Sequence, residues 1–127
     1  MNRIIATKTA RLAQECHDKF SISDDVKSAI SKTNREEFVP AGFRHNAYKL
    51  DALPLSSAQW ISSPLTVAKM THYLEPKGAD RVLEVGCGSG YQAAVLSHLF
   101  RGVFTIERIE TLMIEAKSKF RQLNINN

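Results

Sequence analysis

The sequence has few residues that would cross-link its chain, and it lacks long apolar runs. It holds two cysteines, four prolines and one tryptophan among 127 residues. Cys16 and Cys87 lie far apart, form no CxxC pair and show no metal-ligand spacing with the histidines, so we expect free thiols and no metal. The uncharged apolar stretches are far shorter than the roughly 20 residues of a membrane helix, and the N-terminal segment lacks a hydrophobic signal region. We therefore expect no membrane association and a cytoplasmic location.

Neither basic nor acidic residues are concentrated in one segment of the chain. The chain carries 17 basic and 13 acidic side chains, for a net charge of +4. Acidic pairs at Asp24-Asp25 and Glu36-Glu37 interrupt the scattered basic residues, which favours a solvated mixed surface over a nucleic-acid-binding stripe. A hydrophobic content of 43% is typical of one domain that buries a real core.

The first half of the sequence predicts helices followed by an ordered irregular region. Apolar spacing predicts a helix over Arg3–Phe20, Ser23 is placed to cap a second helix that ends near Ile30, and Asn34 caps a turn before Pro40. Residues 40–63 show no lasting period, yet they are too rich in apolar side chains for disorder. We expect an ordered, functional loop region there.

A further helix should begin at Pro64, capped by Ser62 or Ser63 and ended by Pro76 and Gly78. Its inner face should consist of four residues, namely Val67, Met70, Thr71 and Leu74.

The last third predicts a βαβ unit with parallel strands. A strand over Arg81–Val85 leads through a glycine-rich turn into a helix over Tyr91–Phe100, closed by Gly102. A second strand over Val103–Ile106 precedes a helix over Thr111–Gln122. Alternation of strand and helix is typical of an α/β fold.

The strongest motif is the glycine turn between the first strand and its helix. Gly86, Gly88 and Gly90 alternate at the strand end, where small residues allow a tight turn and close approach of a ligand to the helix start. Glu107 closes the next strand about 20 residues on, where an acid can accept hydrogen bonds from ribose hydroxyls. The pair predicts an adenosine ligand. A plain glycine turn without a ligand is the structural alternative.

Two adenosine ligands compete for this motif. Gly88, Gly90 and Ala93 satisfy the dinucleotide pattern G-x-G-x-x-A, which would suit NAD. Glu84, however, lies two residues before the turn, and its carboxylate would repel a pyrophosphate while it suits a ligand with an ammonium and a sulfonium. S-adenosylmethionine is such a ligand and is the better candidate.

From about Asn34 to Leu123, the sequence resembles the protein-L-isoaspartate O-methyltransferase family. The resemblance is carried by the glycine motif and by segments that occur in the family's order, namely Arg35-Glu36-Glu37-Phe38-Val39-Pro40, Ala47-Tyr48, Asp51-Ala52-Leu53-Pro54-Leu55, Gln59-Trp60-Ile61-Ser62-Ser63-Pro64 and Ile106-Glu107-Arg108-Ile109. The chain departs from the family at Ser56-Ser57-Ala58 and Trp60, where small and glycine-rich residues are common.

The resemblance implies a protein repair enzyme that methylates the free carboxylate of L-isoaspartyl residues in damaged proteins and peptides, with S-adenosylmethionine as cofactor. It implies that Ser62 is the active-site serine beside the accepting carboxylate. Trp60 could stack on a ligand or belong to the core. The expected cofactor-binding residues are Gln59, Trp60, Ile61, Ser62, Glu84, Gly86, Gly88, Gly90 and Glu107.

The fold expected from this resemblance is a Rossmann-like methyltransferase fold that ends after its first βαβα unit. Residues 1–79 would supply N-terminal helices and the active-site loop region, and residues 80–127 the first half of the cofactor-binding sheet, within one incomplete structural domain. In this chain, no later strands would cover the apolar residues Leu83, Val85, Val103 and Phe104. We therefore expect this chain to self-associate, whereas a full-length enzyme is expected to be a monomer. A methyltransferase with another acceptor and a non-catalytic module are the alternatives.

Overall fold

The computed structural model describes the chain from Met1 to Asn127 and has an α/β architecture. Helices and a short hairpin occupy the first part, and a two-stranded parallel sheet with its helices occupies the second. The helices are α1 (Arg3–Lys19), α2 (Asp24–Ser31), α3 (Pro64–Tyr73), α4 (Tyr91–Leu96) and α5 (Glu110–Gln122), and the strands are β1 (Leu53–Pro54), β2 (Trp60–Ile61), β3 (Arg81–Val85) and β4 (Gly102–Ile106). No helix is both long and apolar enough to span a bilayer.

The N-terminal helices begin where side-chain caps satisfy their first free N–H groups. Ser23 accepts a hydrogen bond from the Val26 amide at the start of α2. Asn34 accepts one from the Glu36 amide at the start of a 3₁₀-helix over Arg35–Phe38. The predicted N-terminal helices and both caps are therefore confirmed.

One hydrophobic core joins the two parts of the chain. Residues from α1, α2 and α3 meet residues of α4 in a single buried cluster. Its members include Leu12, Cys16, Val26, Ile30, Val67, Ala68, Tyr91 and Val95. Cys16 and Cys87 are both buried free thiols, as predicted.

The segment predicted as an ordered loop contains more regular structure than expected. A 3₁₀-helix covers Ala41–Asn46, and β1 pairs with β2 in a small antiparallel hairpin, with Leu53 opposite Ile61. The hairpin turn holds Ser57 and Ala58 at φ of 58° and 56°, in the left-handed region that favours glycine. Two-residue strands are too short to leave an alternating signal in the sequence.

Two details of the predicted helices are wrong. In α3 the buried residues are Pro64, Val67, Ala68 and Thr71, whereas Met70 and Leu74 are exposed. The small side chain of Ala68 lets that side of the helix pack closely, which rotates the buried face away from Met70. The helix predicted to reach Phe100 ends as an α-helix at Leu96 and continues in a tighter turn, in which the amide of His98 bonds the carbonyl three residues back.

The parallel strands β3 and β4 pair in register, with Leu83 opposite Phe104. One face of this sheet is largely open: Leu83, Val85, Phe104 and Ile106 are between 54% and 76% exposed. The expectation of uncovered apolar residues is confirmed for Leu83, Val85 and Phe104, while Val103 is half-buried on the other face.

Candidate functional site

The glycine turn lies at the carboxyl end of β3, between that strand and α4. Gly86, Gly88 and Gly90 all have positive φ, at 90°, 57° and 93°. The amides of Gly86 and Cys87 both donate to the carbonyl of Ile106, at 2.9 and 3.0 Å. These bonds tie the turn to the end of β4, so the ends of both strands border the same space.

Glu107 follows β4 and holds the turn in place. Its carboxylate accepts hydrogen bonds from the amides of Gly88, at 2.8 Å, and Ile109, at 3.0 Å. These backbone bonds lower the pKa of Glu107 below its ordinary value, so the side chain stays ionised. A carboxylate has about four lone-pair positions, and roughly two remain for other donors. Glu107 can thus fix the loop and still accept hydrogen bonds from two hydroxyls of a ligand.

Glu84 supplies a second carboxylate, from within β3. It accepts a hydrogen bond from the Thr105 hydroxyl at 2.7 Å. Burial raises the pKa of Glu84, and the nearby charge of Glu107 raises it further, whereas the bond from Thr105 opposes the change. A negative charge held in this position is costly unless a cation neutralises it.

The β1–β2 hairpin brings the second group of predicted residues to the glycine turn. Ile61 is buried, whereas Trp60 is 65% exposed and therefore does not belong to the core. Gln59 is half-buried, and its carbonyl accepts the Leu55 amide at 2.7 Å. The hairpin presents the indole of Trp60 toward the space beside the glycines.

Ser62 and Ser63 have separate roles in the structure. Ser63 caps α3, because its hydroxyl accepts the Thr66 amide at 3.1 Å. Ser62 is exposed, and its hydroxyl makes no hydrogen bond within the chain. The carbonyl of Ser62 is held instead, by a bond of 2.9 Å from Arg35 Nη2. The Ser62 hydroxyl is thus free to meet a ligand.

Two adjoining cavities collect these residues. The larger has a volume of about 560 Å³ and is bordered by Gln59, Trp60, Gly86, Gly88 and Glu107. The smaller, of about 70 Å³, shares Trp60, Gly86 and Gly88 with it and adds Ile61, Ser62 and Glu84. Eight of the nine predicted site residues therefore border these two adjoining cavities. Gly90 borders neither and faces Phe120 of α5 instead.

The cavities also include residues that sequence reasoning missed. Arg108 and Ile109 border the larger cavity, and Tyr91 and Gln92 the smaller. All four lie one or two positions after a predicted site residue in the chain, so closeness to the motif was the available signal.

Comparison with known proteins identifies the family of the chain. The family model of protein-L-isoaspartate(D-aspartate) O-methyltransferase matches residues 6–127. A protein-L-isoaspartate O-methyltransferase of Helicobacter pylori is 54% identical over 120 residues, which are 94% of this chain and 57% of that protein. One from Shewanella baltica is 44% identical over 127 residues, which are 100% of this chain and 60% of that protein. The chain thus spans less than two thirds of the length of these relatives.

Two solved structures share the fold. A protein-L-isoaspartate O-methyltransferase superposes with a TM-score of 0.78 and 27% identity, over 92% of this chain and 39% of that one. A protein described as a putative protein-L-isoaspartate O-methyltransferase of Plasmodium falciparum, in complex with S-adenosyl-L-homocysteine, has a TM-score of 0.78 and 20% identity, over 94% of this chain and 60% of that one. On the match of the family model to nearly its whole length, the chain belongs to the protein-L-isoaspartate(D-aspartate) O-methyltransferase family.

Proposed function

We propose that this chain binds S-adenosylmethionine beside its glycine turn and transfers the methyl group to the free carboxylate of L-isoaspartyl residues in damaged proteins. The observation that carries the proposal is that Ser62, whose hydroxyl is free, borders the same cavity as the glycine turn and Glu84, and that the adjoining cavity is bordered by Glu107. Membership of the family and the activity for which the relatives are named support the same reaction.

The residues present fit the cofactor in shape. Gly86 borders both cavities, and a Cβ at this position would meet no protein atom within 4 Å, so the missing side chain leaves open space for a ligand. A volume of about 560 Å³ falls within the usual range of roughly 300 to 1,000 Å³ for small-molecule sites.

The residues also fit the cofactor in charge. Glu107 stays ionised and has lone pairs available for ribose hydroxyls. The half-buried carboxylate of Glu84 gains from a cationic ligand and would repel a pyrophosphate. S-adenosylmethionine, when bound, supplies a methyl group on a positively charged sulfur. The Plasmodium falciparum neighbour, in complex with S-adenosyl-L-homocysteine, supports this choice.

The acceptor chemistry requires alignment more than activation. An isoaspartyl carboxylate has a reference pKa of about 4 and is already ionised at neutral pH. One of its oxygens forms a bond to the methyl carbon, and the carbon–sulfur bond breaks with its electron pair going to sulfur. A negative carboxylate and a positive sulfonium thus become a neutral ester and a neutral thioether, and no proton moves.

Ser62 is proposed to provide that alignment. Its hydroxyl can donate to one carboxylate oxygen and leave the other free for attack, because it is neutral and makes no competing bond within the chain. A lysine or arginine in its place would bind the carboxylate more tightly and blunt its nucleophilicity.

The first experiment tests the cofactor and the acceptor separately. Calorimetry with S-adenosylhomocysteine should detect binding at one site. The chain should then methylate an isoaspartyl peptide and not its aspartyl isomer, with later release of methanol. Binding without methylation of the peptide would favour another acceptor, and the absence of binding would favour a non-catalytic module.

The second experiment compares two adjacent serines. Ser62→Ala should lower kcat at least tenfold and change the Kd for S-adenosylhomocysteine less than threefold. Ser63→Ala is the matched control, and it should lower the free energy of unfolding by about 1 kcal/mol, the usual contribution of an N-cap, with little effect on kcat. Equal losses of turnover and cofactor affinity in Ser62→Ala would exclude the positioning role.

The remaining expectations concern partners and location. We propose isoaspartyl proteins and peptides as the partners, with no nucleic acid or membrane among them, and a monomeric full-length enzyme. The buried free thiols of Cys16 and Cys87 support a reducing compartment such as the cytoplasm. Strongly salt-dependent binding to RNA would contradict this choice of partners.

A further inference from the structure

Arg35 is a buried cation without a carboxylate partner. It is the first residue of the 3₁₀-helix over Arg35–Phe38, and its exposed fraction is 0%. The ion pairs of the chain involve other residues. Its Nε and Nη1 atoms have no hydrogen-bond partner. A guanidinium in such surroundings is unusual, because buried charges are normally paired.

Two of the three groups that Arg35 contacts belong to residues that border the smaller cavity, namely Ser62 and Tyr91. Nη2 donates to the carbonyl of Ser62 at 2.9 Å and to that of Asp51 at 3.4 Å. The guanidinium carbon lies 4.8 Å from the ring centroid of Tyr91, the first residue of α4 after the glycine turn. One side chain therefore connects Ser62, the segment before the β1–β2 hairpin and the start of α4.

Direct contact of Arg35 with a ligand is excluded by its burial. Its effect must pass through the groups that it holds, and the nearest of these is the backbone of Ser62. The carbonyl is fixed from inside the protein while the hydroxyl of the same residue remains free. A fixed backbone with a free hydroxyl is what positioning of a substrate carboxylate requires.

We infer that Arg35 is a positioning residue that fixes the backbone of Ser62 relative to the start of α4 and thereby aims the Ser62 hydroxyl into the cavity. The catalytic part of this inference rests on the proposed function, and the structural part does not. Lysine cannot replace arginine here, since it lacks the planar group that stacks on a ring while donating from its edge.

The test uses two variants and one control. Arg35→Lys keeps the charge and Arg35→Met removes it. Arg11→Met is the control, at an exposed arginine of α1.

The first measurement is amide hydrogen exchange, which needs no ligand. In Arg35→Lys, exchange of residues 59–63 should become at least tenfold faster, while α1 and α2 keep their protection. Arg11→Met should match the wild-type chain. Unchanged exchange of residues 59–63 would overturn the inference, as would equal acceleration throughout the chain, which indicates a purely structural role.

The second measurement separates the effect of the substitution on ligand binding from its effect on turnover. Arg35→Lys should lower kcat ten- to hundredfold with KM and the Kd for S-adenosylhomocysteine within threefold of wild type. A loss of cofactor affinity as large as the loss of kcat would overturn the positioning role. If the wild-type chain neither binds S-adenosylhomocysteine nor methylates the peptide, the proposed function fails, and the exchange comparison still decides whether Arg35 fixes Ser62.

Discussion

Two glycines of the same turn should respond differently to alanine, one mainly in stability and the other mainly in cofactor affinity. At Gly90, a Cβ would lie 2.9 Å from two atoms of the Phe120 ring, and φ is 93°. The backbone strain costs about 1 to 2 kcal/mol. Displacing a packed ring adds about 1 to 3 kcal/mol. Alanine also restricts the unfolded chain, which returns roughly 0.4 to 1 kcal/mol. Gly90→Ala should therefore lower the free energy of unfolding by about 1 to 5 kcal/mol, with about 3 kcal/mol at the centre of the range.

Gly86 is the matched comparison, because it shares the strain and lacks the clash. Its φ is 90°, and a Cβ would meet no atom within 4 Å. Gly86→Ala should cost only about 1 kcal/mol of stability, the net of backbone strain and restriction of the unfolded chain. The added methyl group, however, would enter the space that we assign to the cofactor. Affinity for S-adenosylhomocysteine should fall at least tenfold.

Urea unfolding followed by circular dichroism, together with calorimetry, measures both effects. Gly42→Ala serves as a control, since Gly42 has neither a positive φ nor a close neighbour. Equal stability losses at Gly86 and Gly90 would refute the role of the Phe120 contact. Unchanged affinity in a folded Gly86→Ala variant would refute the placement of the cofactor at the turn.

Other predictions concern the remaining parts of the site and the sheet. Trp60→Thr should weaken binding of S-adenosylhomocysteine or of the isoaspartyl peptide without loss of stability, and calorimetry showing no change in either ligand would contradict a stacking role. Burial raises the pKa of Glu84 above its usual value near 4.5. At a pH above this raised pKa, the charged carboxylate destabilises the folded state, and this destabilisation is lost as the pH falls through the raised pKa. Glu84→Gln should thus raise the melting temperature at pH 7 while it weakens binding of S-adenosylmethionine, and a lower melting temperature would contradict this reasoning. Ala58→Gly should raise the free energy of unfolding by up to about 1 kcal/mol in urea titrations, because glycine relieves the left-handed strain. Sedimentation should detect self-association of this chain through the open face of the β3–β4 sheet, and a monomer that melts cooperatively would contradict it.

The parts of the fold that sequence reasoning predicted are those set by local chemistry. Ser23 and Asn34 cap because their side chains reach amides two or three residues ahead, which requires no distant partner. The glycine turn followed β3 as expected, since only residues that tolerate positive φ can make it. Glu107 lies at the end of β4 because a parallel strand of five residues brings it there.

The parts that were missed depend on packing between distant segments. The α3 face turns toward Ala68 rather than Met70 because of what packs against it, and apolar spacing alone does not separate the two. Whether Ser62 or Ser63 caps α3 depends on a shift of one residue in the position where the helix starts. Arg35 lies 27 residues from Ser62 in the chain, so no local pattern could connect them.

The charges at the site separate the two adenosine ligands that the glycine pattern left open. Glu107 has a lowered pKa because backbone amides donate to it, and it remains negative without any ligand. Glu84 has a raised pKa because burial deprives it of water, and a cation beside it would recover that energy. A pyrophosphate would bring further negative charge to this pair, whereas a sulfonium with an ammonium brings positive charge. The same glycine spacing can therefore serve either ligand, and the two carboxylates favour S-adenosylmethionine.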